Sequence, residues 1–487
     1  MLQTLRNAWK IKEIRNKILF VIMILVLYRV GTVIPVPFVD SSNFDAQFGD
    51  TILAFMDTLS GGALGTATLF ALGISPYITA SIVMQLLTVA LPYYERLAKL
   101  GEEGKKIINR HTRVATVLLA IVTGFGYYML LKNNGMLVAE ATNKGAGWTF
   151  FYGVIIVTCF CAGAAIVMWL AEKINESGIG NGISLILFVN IIAGAPAFIL
   201  KMVQLVKTAT GNLDMGASTA GFASNYTGGK GTSLGLYVTL AILFAVMILF
   251  VVLAMTVFSI FVTGSERKIK IQYAKRVVGR KMYGGQNSEL PLKLNMSGVM
   301  PVIFASSIVS LPATIMMLAN VSTNSGVYKF FSSDGWFYPL LLFVLIIAFA
   351  YFYIQISFNP VEVSNNLKKN GGMIPGIRQG RPTAEFISKI LSKVTLMGAL
   401  FLSVIAVLPI IAQPLVISPV IEALLDPFFK ASSYVTKDAA LASAVRYFAS
   451  SFTFGGTSLL IVIGVAIETQ RELEAQLTMR NYKGFLS

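Results

Sequence analysis

The chain has 487 residues, of which 55% are hydrophobic and only 13% charged, and its mean hydropathy is +0.72. Soluble domains average ~45–50% apolar and ~25% charged, so a single soluble domain is excluded. So is a disordered chain, which needs low hydrophobicity and high charge. What remains is a polytopic helical membrane protein.

Lys10, Lys12, Arg15 and Lys17 precede the first apolar run, residues 18–34. This start resembles a signal peptide, but no small-residue cleavage site follows, so the run is expected to stay as a first span. Further runs follow at 69–91, 114–131, 151–171, 183–200, 234–263, 298–319, 337–358, 394–412 and 447–467. At about 20 residues per crossing of a ~30 Å bilayer core, these make ten spans. Cys159 and Cys161 stand two residues apart on one run, point to different helix faces and cannot pair with each other.

Of the 39 Lys and Arg residues, 29 lie on the side of the N-terminus, together with 13 of the 23 acids. The positive-inside rule makes that face, and with it both termini, cytoplasmic. Five spans precede and five follow an outer connector at 208–233, rich in Gly, Ser, Thr and Asn. Residues 1–207 and 234–487 therefore read as two halves of opposite orientation, the arrangement of an inverted repeat with its pathway between the halves. This rests on the span count, since no residue-level repeat is visible.

Proton- or ion-driven transporters carry ionisable groups at membrane depth, yet the ten runs contain no Asp, Glu or His. That argues against a secondary transporter for a small solute, the rival reading. His111 sits in a basic cytoplasmic loop, and Arg29, toward the outer end of span one, reads as a snorkelling anchor. No H-E-x-x-H occurs, and the nearest approach to a phosphate loop, around Gly229 and Lys230, lacks its first Gly and its final Ser or Thr. No catalytic residue, metal or cofactor is expected. Energy for transport must come from a partner or from delivery of the substrate.

Two cytoplasmic loops, 264–297 and 359–393, are longer than connectors need to be and carry Lys275, Arg276, Arg280 and Lys281 on the first and Lys368, Lys369, Arg378 and Arg381 on the second. They read as a docking surface for a large acidic or RNA partner. On the outer side, Met56–Leu87 starts as a short segment of small residues and enters a span broken by Gly73 and Pro76. Such a half-helix can plug a pore.

The stretches SGGAL (60–64), FALGISPYITASI (70–82), GIGNGIS (178–184), QYAKRVVGRKMYGGQ (272–286), LPLKLNMSGVMPVIFASSI (290–308), NNLKKNGGMIPGIR (365–378) and FGGTSLLIVIGVA (454–466) carry a resemblance to the bacterial SecY family, the channel subunit of the general protein translocon, running nearly end to end. The resemblance implies a ten-helix, all-α channel of two five-helix halves around a pore in the cytoplasmic membrane. Its waist is an apolar ring of Ile74, Ile78, Ile183, Leu187, Ile303 and Ile461. A plug near 57–68 (Asp57, Ser60, Gly61, Gly62, Ala63, Leu64) seals it. Spans two and seven form a lateral gate, with Ser81 and Gln85 facing Ser306, Ser307 and Ser310 as polar residues able to bond across the seam. Lys275, Arg276, Arg280, Lys281 and Arg378 match docking positions. The implied partners are SecE and SecG in the membrane, the SecA motor or a translating ribosome, signal sequences and nascent chains as clients, and surrounding lipid. Two departures stand out: Gln379, where the family commonly has Pro, is expected to loosen the docking loop, and the outer connector is long.

Overall fold

The computed structural model describes residues 2–40, 57, 60–138, 146–209, 234–273, 276–278, 281–283, 287–318, 325–331, 335–420, 422 and 456–483. Residues 210–233 of the outer connector, 447–455 of the tenth run, and Lys275 and Arg280 lie outside them.

A helix overlies every apolar run. The chain opens with α1 (Leu2–Lys10) and α2 (Lys12–Gly31), then α3 (Ser75–Ala90), α4 (Pro92–Lys99), α5 (Glu102–Asn133), α6 (Ala146–Ser177) and α7 (Gly182–Ala209). After the connector come α8 (Leu234–Gly264), strands β1 (Glu266–Tyr273), β2 (Arg276–Val278), β3 (Lys281–Tyr283) and β4 (Asn287–Lys293), then α9 (Met300–Leu318), α10 (Gly326–Phe331), α11 (Phe337–Ser357) and α12 (Pro360–Lys369). The chain continues through β5 (Gly372–Met373), α13 (Arg381–Ala412), a π-turn at Gln413–Ile417, and α14 (Gly456–Lys483). Among the described residues five helices, α5, α6, α8, α11 and α13, are long and apolar enough to cross a membrane, and α3 with α4 makes a sixth if this pair, bent by 96°, is one span. The bend has a local cause: Pro92 opens α4 and holds Leu91 in an extended conformation, because a proline ring disfavours helical backbone in the residue before it. The second run does not start as a helix at residue 69. Residues 61–74 form turns, Gly73 takes φ +54°, and α3 starts only at Ser75, with Pro76 in its first turn.

Packing sorts the helices into two groups. Before the connector, α5 packs on α3 and α6, and α6 packs on α2; after it, α11 lies against α9 and α13, while α14 packs on α13 and α8. The groups meet where α3 and α5 lie against α9, where α7 lies against α8 and α14, and where α1 lies against α14. A single buried apolar cluster runs through both groups, from Val21 on α2 to Val465 on α14. On α8, large apolar side chains face outward, with Phe250 70% and Phe261 72% exposed. Lipid tails are as apolar as these side chains, so such exposure costs nothing in a bilayer.

The two long basic loops form one body. In β1, Ile269 and Ile271 alternate with exposed neighbours, the period-two pattern of a half-buried strand. β4 pairs antiparallel with β1 from Glu266↔Lys293 to Gln272↔Asn287. From the second loop, β5 adds to the other edge of β1 through Gln272↔Met373 and Tyr273↔Gly372. Ile269, Leu292, Ile374 and Ile387 bury together beneath this sheet.

Candidate functional site

The six residues expected to form an apolar waist stand on four helices, each placed by a local device. On α3, Ile74 is the N-cap residue and its carbonyl accepts from the Ile78 N–H at 3.0 Å, so the two side chains lie one turn apart on one face. The start of α7 is fixed by the GIGNG turn. Asn175 Oδ1 accepts from the Gly182 N–H at 2.7 Å, Asn181 Oδ1 from the Ile183 N–H at 3.0 Å, and Glu472 Oε2, from α14, takes the Gly180 N–H at 2.8 Å. The two Asn side chains satisfy N–H donors that a helix start leaves unbonded, and Glu472 ties α14 to the turn that precedes that start. Gly180 needs its freedom because φ is +89° there. One turn then separates Ile183 from Leu187. Ile303 stands on the first turns of α9 and Ile461 on α14, where Gly464 lets Val299 approach so closely that a Cβ would overlap it. All six residues are buried and belong to the one apolar cluster, which also contains Leu64.

The segment expected as a plug is built on Asp57. The Ser60 hydroxyl donates to the Asp57 carbonyl at 2.9 Å and accepts from the Leu64 N–H at 3.0 Å, while Asp57 Oδ1 accepts from the Gly65 N–H at 2.6 Å. Ala63 and Leu64 are buried, Gly62 exposed. From α5, Tyr127 Oη donates to the Leu64 carbonyl at 2.5 Å. Arg29, read from the sequence as a snorkelling anchor, instead donates through Nη1 to the Gly61 carbonyl at 3.2 Å.

At the seam, α3 packs on α9, and the polar side chains make hydrogen bonds within their own helices. Gln85 Nε2 donates to Ser81 Oγ at 3.4 Å, the Ser306 and Ser307 hydroxyls both donate to the Ile303 carbonyl, and Ser310 donates to the Ser307 carbonyl. In apolar surroundings a hydroxyl finds the carbonyl one turn back more readily than a partner on another helix.

On the cytoplasmic body, Arg276 pairs with Tyr283 and Lys281 with Val278 in the β2–β3 hairpin. Arg378 is exposed in the turn after β5. That turn is braced: Gln379 Nε2 donates to the Gly372 carbonyl at 3.0 Å, Thr383 Oγ1 to the Arg378 carbonyl at 2.7 Å, and Ser364 Oγ to the Gly380 carbonyl at 2.7 Å. Nearby, burial and then Arg471 push the Lys293 ammonium below its ordinary range. Partial burial, followed by the Glu472 carboxylate, pushes the Glu468 carboxyl up.

Sequence reading missed Tyr127, Asn190 and Glu472. A search for ionisable groups in the spans passes over a tyrosine and an amide. Asn190 is nonetheless a polar side chain in an apolar run, fully buried with Nδ2 donating to Tyr28 Oη at 2.8 Å, and buried polar groups of this kind mark places worth inspecting.

A helical bundle with several helices long and apolar enough to cross a membrane defines a multi-pass membrane protein. The SecY family model matches residues 68–470. The protein translocase subunit SecY of Streptomyces coelicolor is 38% identical over 497 residues, covering 100% of both chains, and that of Mycobacterium bovis is 38% identical over 502 residues, again covering 100% of both. The chain belongs to the SecY family. Among solved structures, a protein-conducting channel superposes with a TM-score of 0.55 at 15% identity, covering 94% of this chain and 91% of the other. Sec61 from a canine ribosome–channel complex gives 0.52, also at 15% identity and with the same coverage. These likenesses establish a shared fold.

Proposed function

We propose that this chain is the protein-conducting channel of a translocon, moving unfolded secretory polypeptides across the cytoplasmic membrane and releasing transmembrane segments sideways between α3 and α9. The observation that supports the reading is that Ile74, Ile78, Ile183, Leu187, Ile303 and Ile461, from four helices, are all buried in one apolar cluster that also holds Leu64 of the segment read as the plug. An apolar constriction of this kind dewets and so excludes ions without a charged filter. Its aliphatic side chains offer no hydrogen bond and prefer no particular passing residue, so conduction is tolerant of sequence. Selection falls to the seam, where an apolar stretch of about 20 residues is stabilised by moving into lipid and a polar one is not.

In this reading the ten helices over the apolar runs all span the membrane, in two halves of opposite orientation, with both termini and the β1–β4–β5 body in the cytoplasm. Hydrolytic chemistry belongs to partners: a SecA motor or a translating ribosome docks on Arg378 and on Lys275, Arg276, Arg280 and Lys281, and SecE and SecG complete the membrane complex. Paired cysteines along α3 and α9 test the gate. Oxidation should lock the seam and stop export, and reduction should restore it. Locked channels that export at the unmodified rate would overturn the reading.

A further inference from the structure

The outer end of α2 and the plug segment are joined in two ways that differ in kind. Backbone pairing holds the C-terminal flank: the Val36 N–H donates to the Ala67 carbonyl at 3.1 Å, the Leu69 N–H to the Ile34 carbonyl at 2.9 Å, and Pro35 bridges Thr68. Phe70 stacks on Tyr28 with ring centroids 5.5 Å apart. At the other end of the segment the contact is with a side chain: Arg29 Nη1 donates to the Gly61 carbonyl at 3.2 Å. Gly61 has φ +72°, and a Cβ there would lie 2.5 Å from Arg29 Nη1 and 2.8 Å from Asn190 Oδ1. Asn190 in turn donates to Tyr28 Oη at 2.8 Å. The guanidinium, the amide and the glycine thus fit one another closely, at the sole charge within an apolar run.

We infer that Arg29 is a latch on the plug: residues 67–69 act as the fixed hinge, and the Arg29–Gly61 bond, buttressed by Asn190 and Tyr28, holds the swinging part over the waist until a client displaces it. The inference rests on the plug reading above. It makes Arg29 a positioning residue for the closed state. An arginine suits the role because its charge strengthens a bond to a carbonyl in a site partly shielded from water, while the long side chain lets go without disturbing α2.

The test compares resting ion conductance and export of a weak-signal reporter in the reconstituted channel complex carrying Arg29→Met, a deletion of residues 60–66, or both. Loss of one charge-assisted hydrogen bond should raise the resting conducting fraction about tenfold, and Arg29→Lys, which still donates to the carbonyl, should restore most of the seal. Gly61→Ala, with α2 and Arg29 intact, should leak in the same direction and covers the case in which Arg29→Met fails to insert. Combined with the deletion, Arg29→Met should add nothing. If the deletion leaks while Arg29→Met and Gly61→Ala stay tight, the latch is refuted and the plug stands. If Arg29→Met leaks further in the deleted background, Arg29 serves α2 and not the plug, which refutes the latch as well. If the deletion itself stays tight, the plug reading fails and the latch with it.

Discussion

In the proposed reading, replacing Ile303 with Asn puts one polar side chain into a waist whose seal depends on having none. Ile303 is 2% exposed. Burying an isoleucine contributes about 1.5–3 kcal/mol, and an amide buried without a partner costs about 1–3 kcal/mol. Only the face toward the pore axis changes its surroundings when the channel opens, so roughly half of that sum, about 2 kcal/mol, weighs against the sealed state. At 1.4 kcal/mol per decade this raises the resting open fraction about thirtyfold. The backbone should not move, because its carbonyl keeps the Ser306 and Ser307 hydroxyls at 3.0 and 2.8 Å. Single-channel recording on reconstituted Ile303→Asn reads the leak, and export of a reporter with a poor signal sequence should rise with it, since less gate-opening free energy is required of the client. The control is Phe250→Asn at a lipid-facing position, which should lower yield without changing conductance. A tight Ile303→Asn channel at normal protein levels, with unaltered signal stringency, would refute the assignment of Ile303 to the ring.

Charge reversal of exposed Arg378, or of Lys275, Arg280 and Lys281 together, should weaken binding of ribosome or motor to reconstituted channels while membrane insertion stays normal; unchanged affinity for both partners would contradict the docking assignment. Glu472→Ala removes the acceptor of the Gly180 N–H and should cost about 1.5–3 kcal/mol, seen as a lower thermal midpoint and, because Ile183 and Leu187 follow this turn, as a leak. The raised carboxyl of Glu468 means that the folded channel holds its proton longer than the unfolded chain does. Its contribution to stability is therefore present at low pH and lost as pH rises from the ordinary carboxylate range through the raised value; Glu468→Gln should flatten that part of the stability profile, measured by thermal unfolding in detergent.

Helix positions were legible because hydropathy alone marks apolar runs, and a helix overlies each. Ends set by backbone chemistry were less so. Leu69–Ile74 are as apolar as the helix that follows, and only the positive φ at Gly73 and the ring of Pro76 reveal that α3 starts later. Ile74, Ile303 and Ile461 are indistinguishable by composition from the isoleucines that fill every span, so motif resemblance alone singles them out. The two basic loops read correctly as unusual, but their union through Gln272↔Met373 joins residues about a hundred positions apart, and pairing at that range leaves no local trace. The alternation of Ile269 and Ile271 was the visible hint of a strand. The sequence offers no sign that the Gln379 side chain reaches the Gly372 carbonyl, a contact set by the fold of the turn. Arg29 was noticed as a charge in the wrong solvent, but its partner lies 32 residues away, beyond any helical periodicity.

The most direct test of the account asks which side chains a polypeptide meets as it passes through. A secretory chain stalled midway and carrying a photoreactive residue at the membrane-spanning position can be cross-linked to the reconstituted channel, and the adduct sites mapped by mass spectrometry. The account predicts adducts at Ile74, Ile78, Ile183, Leu187, Ile303 and Ile461 and none at outward-facing Phe250 or Phe261. Adducts confined to outward faces, with the six waist residues untouched, would contradict a pathway through the centre of this fold.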